Sequence, residues 1–361
     1  MKRVKHLYDR VASFENLRGA ARDALRGKRK RMPGAAFLGD LERELVALHR
    51  ELNDGSYATS GYRYFTIHEP KERVVAAAAF RDRVVHHAVV RVIQPIFERR
   101  FIEDSFASRP GKGTHAALVR AERFARRYRH ALKCDIRKYF PSIDHGVLRE
   151  QLARVIGDKR LLGLMDTIIA SHRDGVESEW SGAPGAGLFD VTHRPRGLPI
   201  GNLTSQFCAN IYLSGMYHFI KHELRVKGYV RYLDDFVLFG DDRAALRAHG
   251  NRIKQHLRGL RLTIHPDKYR LVETAGGVEF VGFVLFQSGR VRVRRESVRR
   301  FDRRYRRMRW EVNRRLREPA DLTKRVVAWG AHVQHAQSYG LRRSVLCRPR
   351  ARRRPQKGGV A

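Results

Sequence analysis

The 361-residue chain is 42% hydrophobic, enough for a sizeable core and, by its length, for two or three lobes. Its 74 Lys and Arg against 37 Asp and Glu leave a net charge of +37, which points to a polyanion, with nucleic acid ahead of a membrane surface. No apolar run is long enough to span a bilayer and no signal-peptide pattern opens the chain, so a membrane-spanning or secreted protein is not expected.

Residues up to about Asn53 read as helices, with Leu41, Leu45, Leu48 and Leu52 recurring on one face. The basic stretch Arg26–Gly34 is either a solvated loop or a contact to an RNA backbone. Tyr57 to Ile67 alternates as a strand does, Glu69–Arg73 turns the chain, and Val74–Ala79 resumes a strand. A helix is expected over Asp82–Arg99, with Arg81 and Arg83 near its start either touching nucleic acid or making surface ion pairs. Ser108–His115 is a Gly-rich turn entering a helix, with Thr114 as its N-cap; it lacks the Gly-Lys-Ser/Thr ending of a phosphate loop. Asp158–Ala170 reads as a helix, and Ser181–Gly187 as part of a mobile Gly/Ser-rich loop. Pro195–Gly201 then leads into an apolar helix, Asn202–Glu223.

Further on, Asp242–Leu260 is helical and Gly277–Leu285 alternates like a strand. Arg290–Arg317 holds fourteen arginines against Glu296, Asp302 and Glu311. Phe301, Tyr305, Met308, Val312 and Leu316 keep helical phase there, giving one packed stripe and a basic remainder suited to phosphates. Val326–Leu341 reads as a closing helix or helix pair, and the basic tail beyond Leu346 as a disordered, loosely RNA-binding segment. Cys134, Cys208 and Cys347 are scattered, giving neither a disulfide framework nor metal-ligand spacing, which fits a reducing cytoplasm. The 17 histidines form no cluster of zinc-site spacing.

The chemistry concentrates in Gly228–Gly240, where apolar strand-formers flank Asp234 and Asp235 in a hairpin pattern. Two acids at a tight turn repel each other unless a cation bridges them. The stretch is therefore either a solvated turn or a divalent-metal site. Asp135 ends another apolar strand, starting at Ala131, and is followed by Pro141 and by Asp144, a helix N-cap. Three carboxylates on adjacent strands can hold two Mg²⁺ ions for in-line phosphoryl transfer.

Asp135-Ile-Arg-Lys-Tyr-Phe140 resembles the first palm motif of reverse transcriptases, and Tyr232-Leu-Asp-Asp235 resembles their tyrosine-x-Asp-Asp box. Between them, Arg196–Gln206 is similar to the loop and helix that line the family's nucleotide pocket. The resemblance runs roughly from Tyr62 to Tyr339. It implies an α/β (α+β) right-hand polymerase with fingers, palm and thumb, the palm a small antiparallel sheet backed by helices. On this reading 1–55 is an N-terminal helical extension, 56–130 the fingers, 131–150 the first part of the palm and 151–195 a fingers–palm connection. The palm resumes over 196–288, a helical thumb follows over 289–345, and 346–361 is the basic tail.

The same resemblance implies RNA-templated DNA synthesis with two Mg²⁺ ions, Mn²⁺ as a substitute. Asp135, Asp234, Asp235 and the Ile136 backbone carbonyl would hold them. Lys71 and Arg73 would grip the incoming triphosphate, and Lys268 would protonate departing pyrophosphate. Phe140 would lie beneath the sugar and exclude ribonucleotides, while Tyr139 packs away; Ile200 and Gly201 would line the nucleotide pocket. Gly201 would let backbone approach the substrate closely. Phe280 and Gly282 would form the primer grip, and Arg294, Arg299, Arg303 and Arg306 would follow the duplex. The implied partners are a template RNA, a DNA or RNA primer and dNTPs.

One departure narrows the type. Many reverse transcriptases carry Gln-Gly and then Ser-Pro where this chain has Ile200-Gly201 and Ser205-Gln206. The variant resembles the enzymes of diversity-generating retroelements, which work with a small accessory protein. It implies low fidelity, because Ile200 offers shape but no hydrogen bond. The rival readings are a reverse transcriptase of bacterial phage defence and a non-catalytic RNA-binding protein on a polymerase scaffold. A third, an RNA-synthesising polymerase, is disfavoured by Phe140. No nuclease domain and no maturase or endonuclease segment is expected.

Overall fold

The computed structural model describes residues 3–68, 72–172 and 194–347. Lys71, the Ser181–Gly187 segment and the basic tail from Arg348 lie outside the described residues.

The first helices are α1 (Tyr8–Ala12), α2 (Phe14–Leu25), α3 (Met32–Gly39) and α4 (Leu41–Asp54). Ser13 caps α2 by accepting the Asn16 N–H, and Pro33 stands in the first turn of α3, where a missing N–H is harmless. Leu45, Leu48 and Leu52 form the buried face of α4. The strand expected from Tyr57 begins only at Tyr62. Tyr57 is held in the core instead, its hydroxyl donating to Asp82 at 2.9 Å. Strands β1 (Tyr62–Ile67) and β2 (Arg73–Ala78) form an antiparallel hairpin. Helix α5 (Phe80–Glu98) follows and packs against α2.

Helix α6 (Thr114–Arg127) is preceded by Gly113, which holds the N-cap place expected for Thr114. Gly113 has a φ of 117° that Thr would not readily adopt. Then come β3 (His130–Asp135), the single turn α7 (Tyr139–Ser142), α8 (His145–Ala153) and α9 (Lys159–Ala170). Asp144 and Asp158 cap α8 and α9, accepting the N–H groups of Val147 and Leu161. The apolar run from Asn202 is not one helix. It divides into α10 (Leu203–Tyr212), α11 (Ser214–His218) and a π-helical turn, Phe219–Glu223. The Tyr217 hydroxyl occupies the Asn210 carbonyl at 2.6 Å, where α10 would otherwise continue its ladder.

Strands β4 (Gly228–Tyr232) and β5 (Asp235–Gly240) lead into α12 (Arg243–Gly259), capped by Asp242, and then β6 (Arg270–Glu273). These strands form an antiparallel sheet in the order β4-β5-β3-β6. Alternation sends Leu132, Cys134, Phe236 and Leu238 to one face, into a core shared with α1–α5 and α8–α12. Ala131, Val230, Val237 and Phe239 go to the other face, against α6. A second sheet joins β7 (Val278–Phe280), β8 (Phe283–Leu285) and β9 (Val291–Val293), so strand structure continues past residue 288. Helices α13 (Arg295–Asn313), α14 (Pro319–Val333) and α15 (Tyr339–Leu346) close the described chain. Phe301 of α13 stacks on Trp329 of α14 with ring centroids 4.0 Å apart, seating these helices on the second sheet.

Candidate active site

Asp135 is the last residue of β3 and pairs in register with Asp235, the first residue of β5. Tyr232 pairs with Asp235 from the other side, which leaves Leu233 and Asp234 as a two-residue turn. Only one of the two adjacent acids therefore stands in the turn; Asp235 is a strand residue. Leu233 has a φ of 54°, a left-handed conformation that costs a non-glycine residue about 1–2 kcal/mol. Backbone hydrogen bonds hold the acids in place. The Ile136 N–H donates to the Asp234 carbonyl at 3.2 Å, and the His265 N–H to the Asp135 carbonyl at 2.8 Å.

Cations surround the carboxylates. Lys268 Nζ donates to Asp135 Oδ1 at 2.5 Å, and Lys133 Nζ lies 3.7 Å from Asp235 Oδ2. The Asp235 side chain is 24% exposed, yet among the described residues its buried Oδ1 has no hydrogen-bond partner. Burial pushes Asp235 up to about 7; Lys133 opposes this, while Asp135 and Asp234 add to it. Asp234 is raised as well, by burial and then by Asp135, against the pull of Lys268 and Arg73. Carboxylates on paired strands, one of them with an unsatisfied buried oxygen among the described residues, are the donor type that a hard divalent cation takes. Among the described residues no group of three or more His, Cys, Asp or Glu side chains is arranged to hold a metal ion as they stand, with Asp135 engaged by Lys268 and Asp235 facing Lys133.

Arg73 opens β2, is exposed, and is close enough to oppose the rise in the Asp234 pKa. Phe140 lies in α7, half-buried beside Tyr139, whose hydroxyl donates to the Ala209 carbonyl at 2.5 Å. The Leu198 N–H donates to the Phe140 carbonyl at 3.0 Å, and the Gly197 N–H to the Ile143 carbonyl at 2.9 Å. The Ile200 loop is thereby stitched to α7. It is also stitched to β2: the Ala76 N–H donates to the Ile200 carbonyl at 3.2 Å, and Asn202 Nδ2 to the Ala76 carbonyl at 3.1 Å. Gly201 has a φ of 111°, and a Cβ there would stand 2.8 Å from Val75 Cγ1. The close approach at Gly201 is thus to the fingers hairpin, where the sequence suggested the substrate.

Phe280 is a core residue, 1% exposed, so its ring is taken up by packing and not presented at the surface. The reason is strand alternation, which turns Phe280 and Phe283 together into the second core. The half-buried turn between them, Val281-Gly282, is the accessible part, and Gly282 accepts the Arg294 N–H at 3.0 Å. Arg294 pairs with Glu296 at 2.6 Å and Arg306 with Asp302 at 2.9 Å. Exposed Arg299 and Arg303 make no ion pair among the described residues.

Two residues here were not singled out from the sequence. Lys133 could have been found by period-2 alternation, which puts it on the face of Asp135. Arg231 is wholly buried behind the turn, and nothing in the sequence separates it from a surface arginine.

An antiparallel sheet bearing acids at one end, a two-stranded hairpin tied to the Ile200 loop and a helical lobe beyond fit a right-hand polymerase. A family model described as reverse transcriptase (RNA-dependent DNA polymerase) matches residues 67–285, more than half of the chain. The chain belongs to the reverse transcriptase family, and is an RNA-directed DNA polymerase of the nucleotidyltransferase class. Protein YkfC of Escherichia coli strain K12 is 26% identical over 336 residues, covering 79% of this chain and 84% of YkfC. The group II intron-encoded protein LtrA of Lactococcus lactis subsp. cremoris is 26% identical over 185 residues, 50% of this chain but only 29% of LtrA. Apo telomerase from Candida tropicalis, truncated from its C-terminal domain, superposes with a TM-score of 0.49 at 12% identity, covering 65% of this chain and 55% of that one. No described helix is long and apolar enough to cross a membrane.

Proposed function

We propose that the chain copies a template RNA into DNA by two-metal nucleotidyl transfer from dNTPs, extending a DNA or RNA primer. The reading is carried by the register pairing of Asp135 with Asp235, with Asp234 in the adjoining turn and Asp235 Oδ1 unpartnered. Asp135, Asp234 and Asp235, with the Ile136 carbonyl, would hold Mg²⁺, or Mn²⁺ in its place. When bound, the ions would lower the pKa of the attacking hydroxyl and offset charge on the leaving phosphate. Arg73, with Lys71, would neutralise the triphosphate, and Lys268 would give a proton to pyrophosphate. Phe140 would shut out a ribose 2′-hydroxyl. The Val281-Gly282 turn would meet the primer, and Arg294, Arg299, Arg303 and Arg306 would meet duplex phosphates.

The test is primer extension on RNA. Wild type should extend, and Asp234→Asn should lose synthesis while keeping RNA binding. Activity in Asp234→Asn would end the metal assignment, and full RNA binding without synthesis in wild type would favour a binding protein on a polymerase scaffold.

The finer reading is an error-prone enzyme of a diversity-generating retroelement, assisted by a small accessory protein. It is supported by Ile200, whose side chain has no polar atom with which to sense pairing geometry. A lost discriminating hydrogen bond is worth about 1–3 kcal/mol, up to roughly a hundredfold in selection. Sequenced cDNA from Ile200→Gln should contain fewer errors, and an unchanged error rate rejects the idea. A second reading is favoured by the match of half the chain to LtrA, namely a role on a group II intron-type RNA. Preferential binding of such an RNA over a retroelement template would select it.

A further inference from the structure

Arg231 is 0% exposed and heads the largest fully buried side chains, yet among the described residues none of its nitrogens pairs with a carboxylate and its Nε has no partner at all. Its fork is spent on neutral acceptors: Nη1 donates to the Leu233 carbonyl at 3.0 Å, and Nη2 to Ser105 Oγ at 3.0 Å and Asn210 Oδ1 at 2.7 Å. The guanidinium also lies over the Tyr217 ring, 4.1 Å from its centroid. The backbone is tied too, since the Arg231 N–H donates to the Asp104 carbonyl at 2.9 Å and the Phe106 N–H to the Arg231 carbonyl at 3.0 Å. Burying a cation without a counter-charge carries a desolvation cost that these neutral contacts must offset.

What it grips decides what it serves. Arg231 pairs with Phe236 and so lies on the sheet face opposite the carboxylates, beneath the turn. The Leu233 carbonyl belongs to the peptide whose nitrogen is that of Asp234. The next peptide along is held by the Ile136 N–H on the Asp234 carbonyl. Asp234 is thus clamped at both flanking peptides, by Arg231 on one side and Ile136 on the other. The left-handed Leu233 is the residue that would relax if the first clamp opened.

We infer that Arg231 is a positioning residue, a buried brace that fixes the Leu233–Asp234 peptide and so aims the Asp234 carboxylate for divalent-metal binding. It grips the backbone from the face opposite the carboxylates, whereas Lys268 and Lys133 stand beside the carboxylates themselves. The inference rests on the metal reading proposed above.

The experiment titrates Mn²⁺ alone into the full chain, following free Mn²⁺ by electron paramagnetic resonance, with melting curves run in parallel. Arg231→Met removes the fork and the buried charge, and Arg231→Lys keeps the charge without the planar fork. Both should bind Mn²⁺ about tenfold more weakly, the lower end of the range for lost outer-shell support of a metal site. Melting temperature should stay near wild type in at least the lysine variant, and kcat should fall with the dNTP KM unchanged. Wild-type Mn²⁺ affinity in either folded variant overturns the brace, as does a weakening that merely tracks the loss of melting temperature in both. Mn²⁺ binding that survives Asp234→Asn instead defeats the metal reading, and the brace with it.

Discussion

Lys268 Nζ lies 2.5 Å from Asp135 Oδ1, although the two residues are 133 positions apart. The 3₁₀ turn Pro266–Lys268 brings the lysine there, and the His265 N–H fixes that turn to the Asp135 carbonyl. A proton donor on a short rigid turn beside the acids is well placed to serve a departing phosphate. Lys268→Ala should lower single-turnover extension about a hundredfold, the low end for loss of a general acid, while primer–template affinity stays within about twofold. Lys268→Arg, which restores charge but donates a proton poorly, should recover little of the rate. A normal rate in Lys268→Ala would reduce the contact to a structural ion pair.

His86 gives the fold an acid-sensitive point far from this chemistry. It is 2% exposed in α5, and among the described residues neither ring nitrogen has a hydrogen-bond partner. Burial, reinforced by His87 and Arg83, lowers its pKa from 6.5 to about 3. Above pH 6.5 the ring is neutral whether the chain is folded or not, and its contribution is intact. As pH falls from 6.5 toward 3 the unfolded chain takes up a proton that the folded chain refuses, so stability drops by roughly 1.4 kcal/mol per pH unit. Melting curves between pH 7 and about 4.5 should fall more steeply for wild type than for His86→Leu. Parallel curves would remove His86 as the source.

Gly201 is constrained twice, by a φ of 111° and by Val75 Cγ1, which a Cβ would approach to 2.8 Å. Gly201→Ala should therefore destabilise the seam between the Ile200 loop and β2 by about 1–3 kcal/mol, read as a lower melting temperature. Adding Val75→Ala should restore part of the loss, since it removes the collision and leaves the backbone strain. Full restoration would mean that strain contributes nothing, and no restoration that the collision contributes nothing.

The acidic hairpin, the strand ending at Asp135, the caps at Asp144 and Asp158 and the leucine face of α4 were all readable, because each rests on local periodicity or turn chemistry. What escaped depends on partners far away in sequence. Apolar content predicts one helix over Asn202–Glu223, but Tyr217 takes a carbonyl that the helix needed. An arginine in a strand reads as exposed, yet Arg231 is buried because Ser105 and Asn210 come from other elements to receive it. Phe280 follows the period-2 rule into the core, a burial that plain alternation foretells and the resemblance does not. Likewise, the crowding at Gly201 is created by Val75, on a strand 126 residues earlier.

Phe140 sits where the palm and the Ile200 loop join, its carbonyl accepting the N–H groups of Leu198 and Ile143 at 3.0 and 3.4 Å. Those bonds fix the backbone whatever the side chain, and Tyr139 anchors the turn from its buried side at the Ala209 carbonyl. The half-buried ring of Phe140 packs on one side against the core and Tyr139, which leaves its other side for a substrate to meet. Phe140→Ala should keep the turn intact and dNTP incorporation within a fewfold of wild type. Ribonucleotide incorporation should rise by roughly tenfold to a hundredfold relative to dNTPs, the range a pocket gains or loses with steric fit. Competing rNTP and dNTP extension reactions on one RNA template measure the ratio. A ratio that does not move, with the protein folded and active, would place the sugar filter elsewhere and leave Phe140 as packing for α7.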